Sequence, residues 1–321
     1  MAIARTWSAA EWVERFGEGR KRTAVTIGNF DGVHIGHQAI LKRVCGHAHA
    51  AGEMSAVLTF YPHPAQVLRP NEAPSLLETI EQRIERLDQA GMDAVLVMRF
   101  TRELAQLSPQ EFAETFLAQT MRAAVVLVGE NFRFGHKQAG DVNVLRELGQ
   151  RLGFAVELVA PVSEAIGGAR VVVSSSAIRA AVREGRVEDA DRLLGRPFAL
   201  AGEIRTGTGI GRKLVVPTLN LATEQETLPK LGVYATETRV AGRDYRSVTN
   251  VGMRPTFDGV KLAIETHLFD FNENLTSGPM TIRFRARIRD EKKFPGPEEL
   301  KQQILRDIES AKTYLAVSRP S

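Results

Sequence analysis

The periodicity of the apolar residues changes after Arg179, and this change limits the chain to an architecture of two different parts. Before it, short and uniformly apolar runs alternate with helical patterns. After it, longer segments alternate between apolar and polar side chains. Uniform runs are typical of parallel strands buried on both faces, whereas alternation is typical of antiparallel strands. The sequence therefore predicts an α/β domain followed by a small antiparallel barrel.

The first part contains five predicted strands with helical patterns between them. The strands are residues 24–27, 56–60, 94–98, 124–128 and 155–159, and the helices cover residues 40–48, 80–87, 108–121 and 141–153. In a parallel sheet with covered faces, ligands bind beyond the carboxyl ends of the strands. Two short helical stretches follow, and we place this domain at residues 1–185.

The second part contains longer predicted strands separated by turns with Gly242 and Gly259. The strands are residues 232–240, 245–251, 262–271 and 281–288. Their alternation and turn spacing are typical of a small closed barrel. An amphipathic pattern over residues 297–315 predicts one C-terminal helix, and we place this domain at residues 186–321.

Composition narrows the possible compartments and partners. The chain has 321 residues, enough for two cores, and its single cysteine, Cys45, leaves no disulfide framework. There is no apolar run of transmembrane length and no signal-peptide core near Met1, so we expect a cytoplasmic protein without a membrane partner. The net charge is 42 − 38 = +4 without a Lys/Arg block, which suits anionic small molecules and does not favour a nucleic-acid partner. Oligomeric state is not specified by the sequence.

Residues 27–37 contain the densest group of side chains capable of chemistry. His34 and His37 lie between the first predicted strand and the first helix, where free N–H groups and the helix dipole favour an anion. Gly36 between them allows a phosphate to approach the backbone. The pattern indicates transfer chemistry on a nucleotide phosphate. The alternative is that both histidines only cap a helix.

Two further polar loops follow predicted strands. Asn131 and Arg133 follow the fourth strand, and Ser176 and Arg179 follow Val171–Val173. A hydroxyl, free N–H groups and a guanidinium at a helix start suit a polyphosphate. Each loop alone is equally explained by ordinary caps and solvated side chains. Three polar loops at strand ends together favour a binding site.

These segments, together with Phe60–Pro64, resemble the adenylyltransferase module of bacterial bifunctional riboflavin kinase/FAD synthetases. That module belongs to the nucleotidyltransferase superfamily, with His-x-Gly-His and Ser/Thr-x-x-Arg signatures. The resemblance implies a Rossmann-like sheet, ATP and FMN as substrates, and catalysis by His34, His37 and Arg179. For His63, the alternative is a turn residue held between two prolines. The resemblance also implies substrate binding by Gly28, Asn29, Phe30, Gly36, His63, Asn131, Arg133 and Ser176.

The second part has its own candidate site. Thr218 and Asn220 are two apart in an extended segment, so their side chains fall on one face. A hydroxyl and an amide oxygen are hard, neutral ligands suited to Mg²⁺ that phosphates also hold. Glu265 lies within a predicted strand, as a satisfied barrel residue or as a general base. The glycine-rich residues 207–212 could close over phosphates, although such a loop alone is weak evidence.

The order and spacing of these motifs resemble the riboflavin kinase barrel. The resemblance implies riboflavin and ATP as substrates, Mg²⁺ held by Thr218 and Asn220, and Glu265 as the base. It also implies phosphate binding by Gly207, Gly209, Gly211 and Arg212. The chain departs from the family at Leu214–Val216, where Leu-Gly-Phe is usual, and at Thr276–Ser277, where a tyrosine is lost. Asn131 also stands where the family often has aspartate.

We therefore predict a bifunctional enzyme that phosphorylates riboflavin to FMN and then adenylylates FMN to FAD. One alternative is an FAD synthetase with a weak or regulatory flavin-binding barrel. A second is a class I aminoacyl-tRNA synthetase, which shares the His-x-Gly-His signature. This chain lacks the Lys-Met-Ser-Lys-Ser loop of that class, and a single motif does not decide function.

Overall fold

The computed structural model describes residues 2–17, 21–205, 216–256, 259–273 and 275–317, with the side chains of 254–256 and 259–261 excepted. By its internal contacts the chain divides into two compact units, Met1–Ser174 and Ser175–Ser321. This division falls before the predicted domain limit at residue 185, which stays a prediction. None of the helices in the described ranges is long and apolar enough to cross a membrane.

The first unit contains a six-stranded parallel sheet and a separate two-stranded hairpin. The strands are β1 (Ala4–Thr6), β2 (Thr23–Ile27), β3 (Met54–Tyr61), β4 (Ala94–Arg99), β5 (Ala123–Gly129), β6 (Ala155–Val159), β7 (Ser163–Ile166) and β8 (Ala169–Val172). The helices are α1 (Ala9–Phe16), α2 (Ile35–Ala51), α3 (Pro64–Leu68), α4 (Ile80–Gln89), α5 (Pro109–Phe112), continued by the π-helix Ala113–Thr120, and α6 (Val142–Leu152). Short 3₁₀ turns cover Pro70–Glu72, Leu104–Gln106 and His136–Gln138.

The strand order β1-β4-β3-β2-β5-β6 confirms the predicted parallel sheet. All five predicted strands are present, and both faces are covered: Val25 packs into one apolar cluster and Ala24 into the other. The order runs from β2 through β3 to β4 in one direction and from β5 to β6 in the other. The reversal between β2 and β5 is a topological switch point, where open α/β sheets bind their ligands.

The second unit contains two helices, a closed antiparallel barrel and a C-terminal helix. These are α7 (Ser175–Arg183), α8 (Val187–Leu194), β9 (Phe198–Arg205), β10 (Leu219–Ala222), β11 (Gly232–Val240), β12 (Arg243–Thr256), β13 (Gly259–Leu268), β14 (Pro279–Asp290) and α9 (Pro297–Val317). The barrel closes in the order β10-β13-β12-β11-β14-β9. The predicted barrel and helix are thus confirmed, and β9 and β10 complete the predicted strands.

The inside of the barrel contains a cluster of buried hydroxyls beside apolar side chains such as Leu200, Ile282 and Phe284, and α9 covers an apolar part of the outer face. Five buried hydroxyls bond to one another inside the barrel: Thr236, Thr238, Ser247, Thr249 and Thr266. Val233, Ala235 and Val248 lie on the other face and pack with Ile308, Ala311 and Leu315 of α9. Mutual hydrogen bonding removes the cost of burying these hydroxyls.

A buried ion pair fixes α9 to the barrel, and its removal is expected to destabilise the second unit. The Arg289 guanidinium donates to both Asp307 oxygens, at 2.9 and 2.6 Å, and only 6% of the Asp307 side chain is exposed. Asp307→Ala leaves the Arg289 charge, whose side chain is only 16% exposed, without its partner, and loss of one member of a buried pair costs up to about 3–5 kcal/mol. The thermal midpoint of the barrel should fall accordingly.

The exposed carboxylate Glu309, on the same helix, is the matched control. Its contact with Lys312 at 3.3 Å joins side chains that are 73% and 49% exposed. Surface pairs contribute about 0–1 kcal/mol, so Glu309→Ala should hardly change the midpoint. Equal shifts in the two variants would contradict the structural role of the buried pair.

Candidate active sites

The start of α2 brings the two predicted histidines into direct contact. His34 is the N-cap, and its Nδ1 accepts the backbone N–H of His37 at 3.2 Å. The two imidazoles stack with ring centroids 3.6 Å apart, and Phe30 packs against His37 with centroids 4.9 Å apart. Because Nδ1 of His34 accepts a hydrogen bond, a neutral His34 carries its proton on Nε2. The helix start thus presents imidazole groups and the positive end of the helix dipole.

Two glycines of this segment make space for rings. A β-carbon at Gly36 would lie 3.2 Å from the ring of His34, and one at Gly28 would lie 3.2 Å from the ring of Phe30. We had predicted that Gly36 gives a phosphate access to the backbone, and the structure adds this packing reason. The turn itself is unusual, because Phe30 and Val33 have φ values of 49° and 32°. Such conformations persist only when the surroundings hold them.

His63 links the loop after β3 to the loop after β2. Its Nδ1 accepts the N–H of Ala65 at 3.2 Å as the N-cap of α3, and its Nε2 lies 3.0 Å from the amide of Asn29. The Asn29 atom at this contact is the amide nitrogen Nδ2, so the contact joins the two loops directly. His63 is therefore the N-cap of α3 and also contacts a predicted binding residue.

A cleft of about 720 Å³ opens at the switch point of the sheet. One part of its lining is aromatic, and Phe132 and Phe134 stack there with ring centroids 5.5 Å apart. The aromatic residues are Phe60, Phe100, Phe112, Phe132 and Phe134. The polar part consists of Asn29, Arg69, Asn131, Arg133, Lys137 and Gln138. A flat apolar wall beside cationic groups suits a planar ring that carries a phosphate.

The cleft brings together four residues predicted from separate loops: Gly28, Asn29, Asn131 and Arg133. Arg133 also lies 3.3 Å from Asp141, the N-cap of α6. The N–H of Val144, bound by that carboxylate, holds the pKa of Asp141 below its ordinary value, and the charge of Arg133 adds to this. The negative carboxylate thus orients the guanidinium at the edge of the cleft.

Ser176 and Arg179 belong to α7, which the contacts assign to the second unit. Within that helix the Arg179 guanidinium lies 3.4 Å from the Ser176 hydroxyl, and Arg179 is buried. Sequence analysis had not identified Phe100, Arg69 and Lys137 as lining the cleft. The alternation in Phe132–Phe134 was the available signal for its aromatic wall.

In the barrel, Asn220 and Glu265 are directly opposite each other on β10 and β13. Glu265 is in turn opposite Asn250 on β12. Residues paired in this way project from the same face of the sheet. Thr266, the next residue, points into the barrel, so Glu265 lies on the outer face, where it is half-buried. Thr218 directly precedes β10.

Two further residues border the polar row formed by Asn220, Asn250 and Glu265. The His267 Nδ1 lies 2.9 Å from the carbonyl oxygen of Pro217, and because a carbonyl only accepts, Nδ1 carries the proton. This bond anchors the segment before Thr218. Glu291 accepts the N–H of Met253 at 3.2 Å, and a β-carbon at Gly252 would lie 2.5 Å from its Oε1. Sequence analysis had not identified Asn250 as a neighbour of Glu265, or Glu291 at all.

The predicted phosphate loop, with Gly207, Gly209, Gly211 and Arg212, lies outside the described residues. The same holds for Leu214 and Val215 of the family departure. Val216 is described, and it packs against the apolar cluster under α9. In the barrel, the candidate site therefore consists of Thr218, Asn220, Asn250 and Glu265, with His267 and Glu291 beside them.

Comparison with known protein families matches each half of the chain separately. The FAD synthetase family matches residues 17–177, and the riboflavin kinase family matches residues 194–315. These matches place the chain among ATP-dependent transferases that act on flavins. They include both of the predicted activities.

Curated relatives match nearly the whole chain. A bifunctional riboflavin kinase/FMN adenylyltransferase of Haemophilus influenzae is 35% identical and covers 91% of this chain and 94% of its own length. One of Pseudomonas fluorescens is 37% identical, with 91% and 93% covered. The chain belongs to the bifunctional riboflavin kinase/FMN adenylyltransferase family. Its N-terminal part is the FMN adenylyltransferase and its C-terminal part is the riboflavin kinase.

A solved structure described as a macrolide-efflux protein from Streptococcus pneumoniae has the same fold. Its TM-score is 0.84 at 27% identity, and the alignment covers 97% of this chain and 99% of that one. The efflux activity in its description belongs to that protein. For the present chain, both family matches name flavin transferases.

Proposed function

We propose that the aromatic cleft of the first unit binds the flavin ring of FMN. The observation that carries this assignment is the stacked pair Phe132 and Phe134, which forms an apolar wall beside Arg133. An isoalloxazine ring is planar and stacks on aromatic side chains, while its ribityl phosphate pairs with a cation. Asn29 and Asn131 supply amide groups for its polar edge.

We assign the start of α2 to the ATP phosphates. His34 and His37 lie at the positive end of a 17-residue helix, a favourable position for negative charge. Gly28, Phe30 and Gly36 shape this turn. By resemblance, Ser176 and Arg179 contribute a hydroxyl and a guanidinium to nucleotide phosphates, a role that suits their positions one turn apart on α7.

In the adenylyl transfer, a phosphate oxygen of FMN attacks the α-phosphorus of ATP and pyrophosphate leaves. That oxygen is already negatively charged near neutral pH, so no base is needed. Rate enhancement then comes from alignment of the two substrates and from stabilisation of charge on the transferring group. His37 is the residue best placed for the second task, because its ring is stacked and immobilised between Phe30 and His34.

For riboflavin phosphorylation, we assign the polar row on the outer face of the barrel. The observation that carries it is the register pairing of Asn220 with Glu265. Glu265 accepts the proton of the ribityl hydroxyl while the hydroxyl oxygen attacks the γ-phosphorus of ATP, and ADP leaves. Gly207, Gly209, Gly211 and Arg212 are assigned to the ATP phosphates by resemblance alone.

The residues present fit a magnesium ion at this site. The Thr218 hydroxyl and the Asn220 amide oxygen are hard oxygen donors two residues apart in one segment, and Glu265 is opposite Asn220. We therefore assign Thr218 and Asn220 as its protein ligands. When bound with ATP, the ion neutralises phosphate charge. Incubating the protein with riboflavin, ATP and Mg²⁺, with and without chelator, and separating the flavins tests this proposal.

The use of ATP and the single cysteine also lead us to assign the protein to the cytoplasm. Cys45 is a free thiol that is only partly buried and lies 3.4 Å from the Gly91 carbonyl oxygen. Its side chain packs against one apolar cluster of the sheet. A partly exposed free thiol is typical of a reducing compartment.

Substitution of Gly140 tests the flavin cleft. A β-carbon at this position would lie 2.6 Å from Cε1 of Phe134, and the two residues form a bridge with reciprocal backbone bonds of 3.0 Å. Gly140→Ala should therefore displace the Phe134 ring and alter the cleft wall. Overpacking of this kind costs about 1–3 kcal/mol of folding stability, and because the displaced ring changes the shape of the cleft, we expect KM for FMN to rise.

Gly46→Ala is the control, because a β-carbon at residue 46 of α2 would have no neighbouring atom within 4 Å. Its adenylylation kinetics should match those of the parent protein. The thermal unfolding transition of both variants, compared with that of the parent protein, reports whether the first unit is folded. An unchanged KM for FMN in folded Gly140→Ala would place the flavin elsewhere.

A further inference from the structure

A fully buried arginine lies beneath the loops of the adenylyltransferase site. Arg83 is on α4, and only 1% of it is exposed. Its Nη1 donates to the carbonyl oxygen of Phe60 at 3.3 Å and lies 3.5 Å from the Thr59 hydroxyl. A buried guanidinium is costly unless it is paired and hydrogen-bonded, so its position in the core needs a reason.

Two buried carboxylates supply the charge that balances Arg83. Burial lowers the pKa of Arg83 from its ordinary value, while the charges of Asp31 and then Glu78 raise it. Asp31 is 1% exposed and accepts the N–H of Leu77 at 2.9 Å. Asp31 belongs to the turn before α2, so the arginine attracts that turn towards α4. An arginine remains protonated under such conditions.

The contacts of Arg83 connect both loops that carry proposed substrate-binding residues. The Thr59 hydroxyl, next to the guanidinium, donates to the backbone oxygen of Asn29 at 3.3 Å. Phe60, whose carbonyl accepts from Arg83, lines the cleft and lies near the end of β3, just before the loop of His63. The side chains of Asn29 and His63 then meet at 3.0 Å. Arg83 and Thr59 therefore close a ring of contacts under the site.

We propose that Arg83 is a positioning residue of the FMN adenylyltransferase. It holds the turn after β2 against the end of β3, and so sets the distance between Asn29 and His63 and the orientation of His37. The positive φ values of Phe30 and Val33 agree with this role, because a strained turn needs an external restraint. The inference rests on the proposed assignment of the α2 start and the cleft to substrates.

The test compares Arg83→Met with Arg83→Lys in the full chain. Arg83→Met keeps the length of the side chain and removes its charge and donors. A misplacement of about 1 Å can reduce turnover by about 10²-fold, so we expect kcat for FMN adenylylation to fall by roughly 10–100-fold. Arg83→Lys retains a charge and donors and should restore most of this loss. Riboflavin kinase activity, measured in the same samples, should stay unchanged.

Thr59→Val tests the same contacts without placing an apolar side chain where the fold now holds a buried charge. It removes only the hydroxyl between Arg83 and Asn29, and we expect a smaller loss of kcat, with KM for FMN little changed. The double variant Thr59→Val/Arg83→Met should be no slower than Arg83→Met alone, because both changes break the same contact path. Glu81→Gln, at an exposed position of the same helix, serves as the control.

The outcomes separate this inference from the proposed function. Consider first the case in which His37→Ala abolishes adenylylation. Arg83 is then only structural if Arg83→Lys and Thr59→Val keep the parental kcat and Arg83→Met either keeps it or unfolds. A loss of kcat in Thr59→Val that is additive with Arg83→Met would also overturn the shared path. If His37→Ala itself leaves adenylylation intact, the assignment of the site is wrong, whatever the Arg83 variants do.

Discussion

Glu265→Gln is expected to reduce riboflavin phosphorylation by about 10²–10⁴-fold, the usual contribution of a well-placed general base. Glutamine preserves the size of the side chain and most hydrogen bonds opposite Asn220 and Asn250, but it cannot accept the hydroxyl proton. Turnover should therefore fall while KM for riboflavin and ATP changes far less. FMN adenylylation should continue at the parental rate, because its residues lie on other loops. Separation of FMN and FAD by chromatography measures both reactions.

Glu203→Gln is the matched control, since it removes an exposed carboxylate from β9 of the same barrel. It should leave both activities unchanged. A kinase rate within a few-fold of the parent in Glu265→Gln would make Glu265 only a barrel residue. Glu291, near Asn250 on the same surface, would then be the next carboxylate to replace.

The sheet was predictable because its strands are buried on both faces. Uniform runs such as residues 124–128 have no polar face, and few other structures tolerate that pattern. The edge strand β1 has only three residues, too few for any periodicity. The hairpin of β7 and β8 is mostly exposed and was equally invisible to an apolar pattern, apart from the run at Val171–Val173.

The barrel was predicted from alternation, but alternation does not say which side chains of each strand point into the barrel. Alternating strands suggest a solvated polar face and a buried apolar face. Here Thr236 and Thr249 are polar and fully buried inside the barrel, whereas Val233 is on the outer face beneath α9. Small hydroxyls that bond to one another share the interior with apolar side chains such as Ile282 and Phe284, so polarity alone did not reveal the direction of the side chains.

The site residues divide into those that a sequence motif identifies and those that only the tertiary structure brings together. Residues within one motif, such as His34 and His37, were identified because their spacing is local. The partners of Glu265 depend on strand register, which brings Asn220 and Asn250 beside it from distant segments. Arg83 was not recognisable as important, because a charged residue on an amphipathic helix is usually solvated. Only the tertiary structure shows that it is buried.

His37→Ala is expected to reduce FMN adenylylation by at least about 10²-fold, as does the loss of one donor that stabilises transition-state charge. The imidazole lies at the start of α2, held by stacking on His34 at 3.6 Å and by contact with Phe30. Its removal leaves the helix dipole and the cleft in place, so KM for FMN should change less than kcat. Riboflavin phosphorylation should persist, and FMN should accumulate in place of FAD.

His49→Ala, in the last turn of the same helix, is the control, because it removes an exposed imidazole far along α2 from the proposed ATP site. Its rates for both reactions should equal those of the parent. A loss of both activities in folded His37→Ala would refute the separation into two chemical sites. If that variant instead retains adenylylation, the two stacked histidines only cap the helix. This is the alternative that the motif alone had left open.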